Sequence, residues 1–422
     1  MIINKLSEVA SIQISNVDKK IKDGQKSIKL CNYVDVYYKW AITEKNSHDL
    51  MVSTASDLEL SKFSLMKGDV LLTKDSETKD DIGISAYVAD QIDDLVLGYH
   101  CALIRPDNKV LFGSYLNIIF HSQYAQRYFK NSASGSGQRY TLTEDIIKNF
   151  PVPIISLEEQ QKIASVFSSM DRIVESNIIF IEKMEKFVKS LYDYWFLQFE
   201  FPNLNGRVYK TNGGIFQKSP DTGKDIPIGW HYVKLKQLCS LKNGINYDKN
   251  SLGGKEYLIV NVRNISSSLT IIDSNKLDSI ELDPINANKY IVGKNDIIIA
   301  RSGSPGSTRL LMDTKKDVIF CGFIICCTPI NPEMRLYLTN YLKMYEGTNA
   351  TKTGGSILTN VSQETLNNLD VLVPPDYIID KFNSLVEPVY GMIETAINAN
   401  YKLESLTRTI MDHVLALMFN QD

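Results

Sequence analysis

Two segments of the chain carry an apolar repeat of seven residues, a pattern typical of long helices that pack against each other. The first segment, residues 156–199, contains no proline or glycine and would span roughly 60 Å as one helix. It opens with Ser156 followed three residues later by Glu159, the pattern of a helix capping box. The second segment lies in residues 375–420. Together they predict an antiparallel two-helix coiled coil.

The repeat places apolar residues at matching heptad positions in both segments. The predicted a positions, which we expect to act as the spacer between subunit halves, are Ile163, Met170, Asn177, Met184 and Leu191, then Phe382, Val389, Ala396, Leu403 and Ile410. The predicted d positions are Val166, Ile173, Phe180, Phe187 and Tyr194, then Leu385, Met392, Ala399 and Leu406. Since Pro388 and Gly391 interrupt the second pattern, we expect a kink near Glu387 or a helix that starts there.

Each repeat follows a stretch of mixed character, and these stretches are called here the first block (residues 1–155) and the second block (residues 230–374). Strand-like runs in the two blocks cover residues 28–38, 69–72, 84–88, 95–104, 257–262, 296–300 and 318–327, and helical runs cover residues 115–130 and 335–345. Residues 200–229 are rich in Gly, Pro, Asn and Lys and are interpreted as a surface linker.

The two blocks resemble each other in sequence. The run beginning at Lys67 (KGDVLL) matches the run beginning at Lys294 (KNDIII), and the run ending at Pro106 matches the run ending at Pro329. From Ser134 and its counterpart Thr353 onward, matching residues stay about 219 positions apart. The chain is therefore predicted to be an internal duplication with pseudo-two-fold symmetry, in which two similar mixed α/β (α+β) domains are separated by the coiled coil.

Composition fits a soluble protein of two or three domains. The chain has 422 residues, of which 44% are hydrophobic and 23% charged, and its net charge is −3. Residues 1–156 hold 18 Lys and Arg against 19 Asp and Glu, whereas residues 229–373 hold 16 against 13. The six cysteines form no CxxC pair, which favours buried thiols over a zinc site or disulfides. Neither a membrane span nor a signal peptide is recognisable, so a cytoplasmic location is expected.

No catalytic motif is evident. The glycine-rich run that begins at Arg301 (RSGSPGS) lacks the lysine of a phosphate-binding loop. The run VPPDY at Val373 has valine where a base-methylating enzyme needs a polar residue, and the acidic run DSETKDD at Asp75 is interpreted as a solvated loop rather than a nuclease centre. The chain is predicted to be non-catalytic and to hold no metal.

Two loops in each block carry residues suited to DNA. Arginine can pair with guanine and glutamine with adenine, while small residues let the backbone approach phosphates. The candidate DNA-binding residues are Lys74, Lys79, Ser134, Ser136, Gln138, Arg139, Tyr140, Arg301, Ser302, Ser304, Arg309, Lys352 and Thr353. The alternative is that these loops are polar turns whose charge is incidental.

Several motifs together resemble the specificity subunits of type I restriction–modification enzymes. They are the run LEEQQKIA from Leu157, the run DYWFLQFEFP from Asp193, the run IPIGW ending at Trp230, and the duplication itself. The resemblance covers essentially the whole chain. It departs in the second helix, where VPPDYIIDKF replaces the L-x-E-Q-x-x-I pattern, so docking of a partner on that half is less certain.

The resemblance implies that each domain recognises one half of a split double-stranded DNA target and that the helices set the gap between the halves. It further implies that two modification subunits and the restriction subunits dock on this chain. S-adenosylmethionine, ATP and Mg²⁺ would then bind to those partners, with no cofactor in this chain. Two alternatives remain open: a coiled-coil scaffold that binds no DNA, and a recognition fragment fused to a methyltransferase–nuclease, which the two-half layout disfavours.

Overall fold

The computed structural model describes residues 2–137, 139–247, 253–312, 314, 316–346 and 361–419, with the backbone alone at 136, 418 and 419. The chain divides into two compact units. Unit 1 comprises Met1–Glu175 and Lys402–Asp422, and unit 2 comprises Ser176–Tyr401.

Unit 1 contains the first block and parts of both long helices. Its strands are β1 (Ile2–Lys5), β2 (Ala10–Ile14), β3 (Lys26–Cys31), β4 (Ala41–Ile42), β5 (Met51–Ala55), β6 (Val70–Thr73), β7 (Asp75–Ser76), β8 (Ser85–Val88), β9 (Leu95–Leu97), β10 (Cys101–Pro106), β11 (Ser134–Ser136), β12 (Arg139–Thr141) and β13 (Pro151–Ile154). Its helices are α1 (Leu6–Val9), α2 (Tyr33–Tyr38), α3 (Asp57–Phe63), α4 (Gly113–His121), α5 (Gln123–Ser132), α6 (Glu144–Lys148) and the first part of α7 (Leu157–Tyr192).

Unit 2 contains the second block, the rest of α7 and most of the last helix. Its strands are β14 (Phe216–Lys218), β15 (Asp225–Pro227), β16 (His231–Lys234), β17 (Cys239–Asn243), β18 (Lys255–Val260), β19 (Asp278–Leu282), β20 (Ile297–Ala300), β21 (Thr308–Leu310), β22 (Val318–Phe320), β23 (Ile324–Pro329) and β24 (Asp370–Val373). Its helices are α8 (Val262–Ser266), α9 (Pro284–Ala287), α10 (Arg335–Lys343), α11 (Gln363–Asn367) and α12 (Asp376–Phe419).

The two blocks have the same sheet topology. The order β2-β10-β6-β8 in the first block corresponds to β17-β23-β20-β21 in the second, with antiparallel pairing throughout. A second sheet places β3 between an antiparallel β5 and a parallel β9, as β18 lies between β19 and β22. A short pair, β1 with β13 and β16 with β24, completes each block. The predicted duplication and mixed fold are confirmed.

The long helices run antiparallel within each unit. In unit 1, Phe167 packs in one cluster with Met411, and Met170 Sδ lies 3.5 Å from the Thr407 hydroxyl. In unit 2, the side-chain amide of Asn177 donates to that of Asn400 at 2.7 Å. Glu159 and Ser156 bond reciprocally at 3.2 Å and 3.3 Å, which confirms the predicted capping box.

The apolar stripe of both helices is divided rather than wholly buried. The a and e positions pack inward, as shown by Val188, Phe382 and Ile393, which are at most 1% exposed. By contrast, six of the predicted d residues are 45–49% exposed: Val166, Ile173, Phe187, Leu385, Met392 and Leu406. The helices therefore bury one side of the stripe and leave a column of apolar residues half-exposed.

Three local predictions differ from the structure. The predicted strand 28–38 ends at Cys31 because the Asn32 backbone N–H bonds to Asp35 at 2.9 Å and starts α2. The predicted helix 115–130 is two helices, since the Ser122 hydroxyl caps the second of them. The predicted linker 200–229 contains the β14–β15 hairpin, and its Ile226 is 1% exposed.

The second long helix begins at Asp376, so the alternative of a helix that starts near Glu387 is wrong, whereas the kink near Glu387 stays a prediction. Pro388 lies inside α12 with its ring on the exposed side of the helix. Ser384, whose carbonyl loses its intrahelical partner to this proline, is an exposed residue as well. This placement lowers the cost of the proline.

Candidate nucleic-acid interface

A buried carboxylate, Asp75, organises four side chains at the end of β6 in the first block. Asp75 is 7% exposed. It accepts hydrogen bonds from the Thr141 hydroxyl at 2.6 Å, the Lys74 ammonium at 3.0 Å and His100 Nδ1 at 2.6 Å. The Arg139 guanidinium lies 3.3 Å from the same carboxylate oxygen as His100, and its side chain is 62% exposed. We call these five residues the Asp75 cluster.

The electrostatics of the Asp75 cluster follow from this geometry. Burial opposes ionisation of Asp75, but hydrogen bonds from Thr141, Lys74 and His100 outweigh it and lower its pKa to about 2. The backbone of His100 has a φ of +69°, a left-handed conformation that costs a non-glycine residue about 1–3 kcal/mol. The surrounding bonds therefore hold a strained residue in place, as is common at functional sites.

The other predicted residues of the first block surround this cluster. The Lys79 ammonium lies 5.4 Å from the centre of the Tyr140 ring, within reach of a cation–π interaction. Ser134 is exposed, and its hydroxyl donates to the Thr141 carbonyl at 3.2 Å. The backbone of Ser136 pairs with Arg139 across β11 and β12. Gln138 lies outside the described residues.

Helix α2 brings aromatic side chains to the same region. The Tyr37 hydroxyl donates to Asp81 at 2.6 Å, and the Tyr33 and Tyr37 rings stack with centres 5.8 Å apart. Tyr38 is 80% exposed. These tyrosines do not stand out in the sequence, because the pattern predicts a strand over residues 28–38.

In the second block, Arg301 follows β20 as Lys74 follows β6. Its Nη1 donates to the Gly322 carbonyl at 3.3 Å. The adjacent Phe323 is 64% exposed. Ser302 and Ser304 are partly exposed, and the Ser304 hydroxyl bonds to that of Ser266 in α8 at 2.8 Å.

Arg309 does not share this exposure. It is 5% exposed, and its guanidinium bonds to the Glu346 carboxylate at 3.0 Å and to the carbonyls of Ile265 and Ser268 at 3.1 and 2.8 Å. Burial opposes ionisation of Glu346, but Arg309 lowers its pKa. The placement makes Arg309 a structural residue rather than a candidate contact for DNA, because a buried guanidinium with filled donors cannot reach a base. Lys352 and Thr353 lie outside the described residues.

The same backbone ladder supports both loops. The Lys74 N–H donates to the His100 carbonyl at 3.0 Å, and the Arg301 N–H donates to the Phe323 carbonyl at 2.9 Å. On the other side, the Lys74 and Arg301 carbonyls accept, at 2.7 Å each, from Leu142 and Val361. Lys74 thus corresponds to Arg301, and His100 corresponds to Phe323.

A family model shows where this duplicated architecture belongs. The model for the type I restriction modification DNA specificity domain matches residues 5–183 and again residues 227–399. The chain belongs to this family. The two matches coincide with the two blocks and the long helix that follows each, and membership disfavours the alternative of a scaffold that binds no DNA.

Relatives of this specificity family align along most of the chain. It is 24% identical over 387 residues to the type I restriction enzyme MjaIX specificity subunit of Methanocaldococcus jannaschii, covering 90% of this chain and 82% of the relative. It is 20% identical to the HindI specificity subunit of Haemophilus influenzae, covering 86% and 89%.

A solved structure shares the fold. The crystal structure of a type I restriction–modification S subunit from M. genitalium superposes with a TM-score of 0.54 at 14% identity and covers 97% of this chain and 95% of that one. At such low identity the likeness shows the fold alone.

Sequence reasoning missed three residues that the structure places at the loops of this specificity protein. Asp75 was interpreted as part of a solvated loop, and His100 and Phe323 were aligned with each other without being assigned a role. Their positions could have identified them, because Asp75 directly follows the candidate Lys74, and His100 and Phe323 each directly precede one of the two matched strands.

In the part of the chain that the structure describes, no three His, Cys, Asp or Glu residues lie close enough to hold a metal ion. No described helix combines the length and apolarity that crossing a bilayer requires.

Proposed function

We propose that this chain is the DNA-recognition subunit of a type I restriction–modification complex, with each block recognising one half of a bipartite target. The observation that carries the proposal is the shared backbone ladder, which presents Lys74 and His100 in one block and Arg301 and Phe323 in the other. A shared scaffold with unlike exposed side chains suits a protein that must recognise two different short sequences.

The charge distribution suits binding that is shared with partners. A net charge of −3 provides little general attraction for a phosphate backbone, so affinity must come from local cations and from partner surfaces. Arg139 and Arg301 are the best placed candidates in their blocks, because Arg139 is largely exposed and Arg301 lies beside the exposed Phe323.

The chemistry of the complex would take place elsewhere. Membership in a specificity family supports a non-catalytic role for this chain, in which modification subunits bind S-adenosylmethionine and methylate adenine. Restriction subunits would use ATP and Mg²⁺. The chain would then determine where these reactions occur.

The long helices are proposed to dock those subunits. In unit 1, the apolar residues left half-exposed are Val166, Ile173, Leu406 and Leu417. In unit 2, they include Phe187, Leu385 and Met392. Apart from Leu417, these residues recur at multiples of seven positions along helices that are already packed on their other side. Such a pattern is typical of a surface that accepts further helices. We expect two modification subunits, one for each half of the duplication.

Methylation mapping tests the proposal. We expect the genome of the host to contain one methylated bipartite motif that disappears when this gene is deleted. Lys74→Ala and Arg301→Ala should each relax a different half of that motif. Arg309→Ala is the contrasting control, because it should lower stability while any complex that still assembles keeps its sequence choice. Loss of the gene without loss of any methylated motif would refute the proposal.

A further inference from the structure

The turn before β10 and its counterpart before β23 each present one side chain beside a candidate DNA-binding cation. His100 lies next to Arg139, with its Nδ1 3.0 Å from the guanidinium, and its side chain is 32% exposed. Phe323 is 64% exposed and follows Gly322, whose carbonyl accepts from Arg301. Both positions therefore place a ring at the surface beside a positive charge.

Both turns are held firmly by the backbone. The His100 carbonyl accepts from the Lys74 N–H at 3.0 Å, and the Phe323 carbonyl accepts from the Arg301 N–H at 2.9 Å. In the second turn, a Cβ at Gly322 would lie 2.0 Å from Oδ1 of Asn246, so a larger residue there would require the Asn246 side chain to move. Fixed backbones of this kind place a side chain reproducibly, which base recognition requires.

The polar surroundings of His100 define what its free edge can do. Nδ1 lies 2.6 Å from the Asp75 carboxylate and 3.0 Å from the Arg139 guanidinium. Two unprotonated atoms 2.6 Å apart would repel, so the hydrogen is assigned to Nδ1, which donates it to Asp75. Arg139 then pairs with the same carboxylate, at 3.3 Å, rather than with the ring. In the neutral ring Nε2 is then an acceptor. An acceptor in the major groove suits the amino group of adenine or cytosine.

Phe323 offers the opposite chemistry. Transfer of an exposed phenyl ring from water to an apolar surface is favourable, and the apolar group that the major groove offers is the methyl group of thymine. The neighbouring Arg301 can hold a phosphate or a guanine while the ring contacts the methyl group.

We propose that His100 and Phe323 are specificity-determining residues that contact bases, one in each half of the target. His100 selects a base that carries an amino group, and Phe323 selects thymine. The inference rests on the proposed function and deepens it, because it assigns base selection to two residues at the same position of the duplicated fold.

The test uses the full chain assembled with its modification subunits and a pool of duplexes randomised in both halves. Phe323→Ala should lose about tenfold in preference for thymine at one position of one half, with the other half unchanged, whereas Phe323→Leu should retain most of that preference. His100→Ala should relax the other half, and His100→Gln, which keeps an acceptor, should relax it less.

Replacing thymine by deoxyuridine provides a check at the level of one methyl group. In the preferred duplex this replacement should weaken binding by wild-type complex several-fold and leave binding by Phe323→Ala unchanged. Equal loss on all sequences would make these residues phosphate contacts, and unchanged preferences would exclude them from base selection. Either result overturns the inference while leaving the proposed function intact, whereas a wild-type complex that selects no sequence overturns both.

Discussion

The first and second blocks hold positive charge in different ways on the same backbone. In the first, Lys74 is followed by Asp75, and this buried carboxylate also binds Arg139. In the second, Arg301 is followed by Ser302, which offers no compensating charge. The comparison teaches that the duplicated scaffold fixes where a side chain is presented, while the residues placed there determine the local chemistry.

The blocks also differ in how they attach to the long helices. In unit 1, the Trp40 ring stacks against Phe167 of α7 with centres 6.3 Å apart. The centre of the His121 ring lies 4.5 Å from that of Trp40, and burial lowers the pKa of His121 so that it is neutral at pH 7. In unit 2, Lys343, at the corresponding end of α10, pairs with Glu185 of α7 at 3.2 Å. At this position the contact in unit 1 is therefore aromatic and neutral, whereas the contact in unit 2 is a largely buried ion pair.

The largest effect is expected from breaking that ion pair. Glu185→Ala should destabilise the protein by about 3 kcal/mol, because the Lys343 ammonium would be left in a mostly buried position without its partner. Burial lowers the pKa of Lys343 below its ordinary value, and the attraction of Glu185 offsets this only in part. The loss should therefore shrink as the pH rises toward the ordinary lysine value, where the folded state can release the proton.

Urea unfolding of full-length variants at several pH values measures this effect. The double variant Glu185→Leu with Lys343→Met is the matched control, since it removes both charges and should recover most of the stability. If the single and double variants were equally unstable, packing rather than charge would explain the attachment.

Acid should act on the other attachment. Burial lowers the pKa of His121 to about 4, and the bond to the Ser85 carbonyl only partly opposes this. Below about pH 6.5 the unfolded state binds a proton that the folded state still excludes, so stability falls as the pH decreases toward 4. We expect a loss of about 2 kcal/mol between pH 6.5 and 4.5.

His121→Gln provides the comparison for this titration. The glutamine amide can still donate to the Ser85 carbonyl, which His121 Nε2 approaches at 2.7 Å, but it does not titrate. Its stability should therefore depend less on pH over this interval in thermal or urea unfolding. Identical pH profiles for wild type and variant would show that other groups cause the acid sensitivity.

Much of this architecture could be predicted from sequence because periodic apolar residues and repeated strand motifs carry it. The cap at Ser156 and the matching strands β6 and β20 followed directly from local pattern. The division of the helix stripe did not, because a heptad pattern does not say which of its apolar columns the rest of the chain covers. Likewise, burial of Arg309 depends on Glu346, which lies 37 residues away in sequence. In the Asp75 cluster, the hydrogen bond from Thr141 to Asp75 joins residues 66 positions apart.

Gln160 shows what one of the motif residues does in its own chain. It is 0% exposed, and its side chain accepts from the Phe112 N–H at 2.9 Å and donates to the Val110 and Ile155 carbonyls at 2.9 Å each. In the second helix the matching position is Ile379, which is 1% exposed and packs in an apolar cluster. Where the second helix departs from the motif, apolar packing of Ile379 thus replaces the hydrogen bonds that Gln160 makes in the first helix.

Removing the hydrogen bonds of Gln160 should lower the free energy of unfolding by less than breaking the ion pair between Glu185 and Lys343. Gln160→Ala leaves a buried N–H and two carbonyls without their partner, for an expected loss of about 1.5 kcal/mol. Ile379→Val, which only shortens an apolar side chain, should cost about 1 kcal/mol. Unfolding midpoints of the two variants measure the difference, and a larger loss for Ile379→Val would contradict this assignment.

The smallest expected effect concerns the charge balance of the first block. Asp75→Asn removes the carboxylate that binds Lys74 and Arg139, so the net charge becomes one unit more positive. Binding of the assembled complex to random duplex DNA should then strengthen a few-fold at low salt, because phosphates attract the released cations. Discrimination at one half of the target should weaken by about fivefold, since Arg139 and His100 lose the group that positions them.

Ser302→Asp applies the opposite change at the matching position of the second block. It adds a carboxylate beside Arg301 and should weaken binding to random DNA, with a shallower dependence on salt. Salt titrations of both variants give these slopes, and the randomised duplex pool gives discrimination for each half separately. If Asp75→Asn weakened binding to every sequence alike, the carboxylate would serve the fold rather than the presentation of Arg139. If it instead strengthened random binding and relaxed one half alone, the difference in charge between the blocks would be a difference in how each half is recognised.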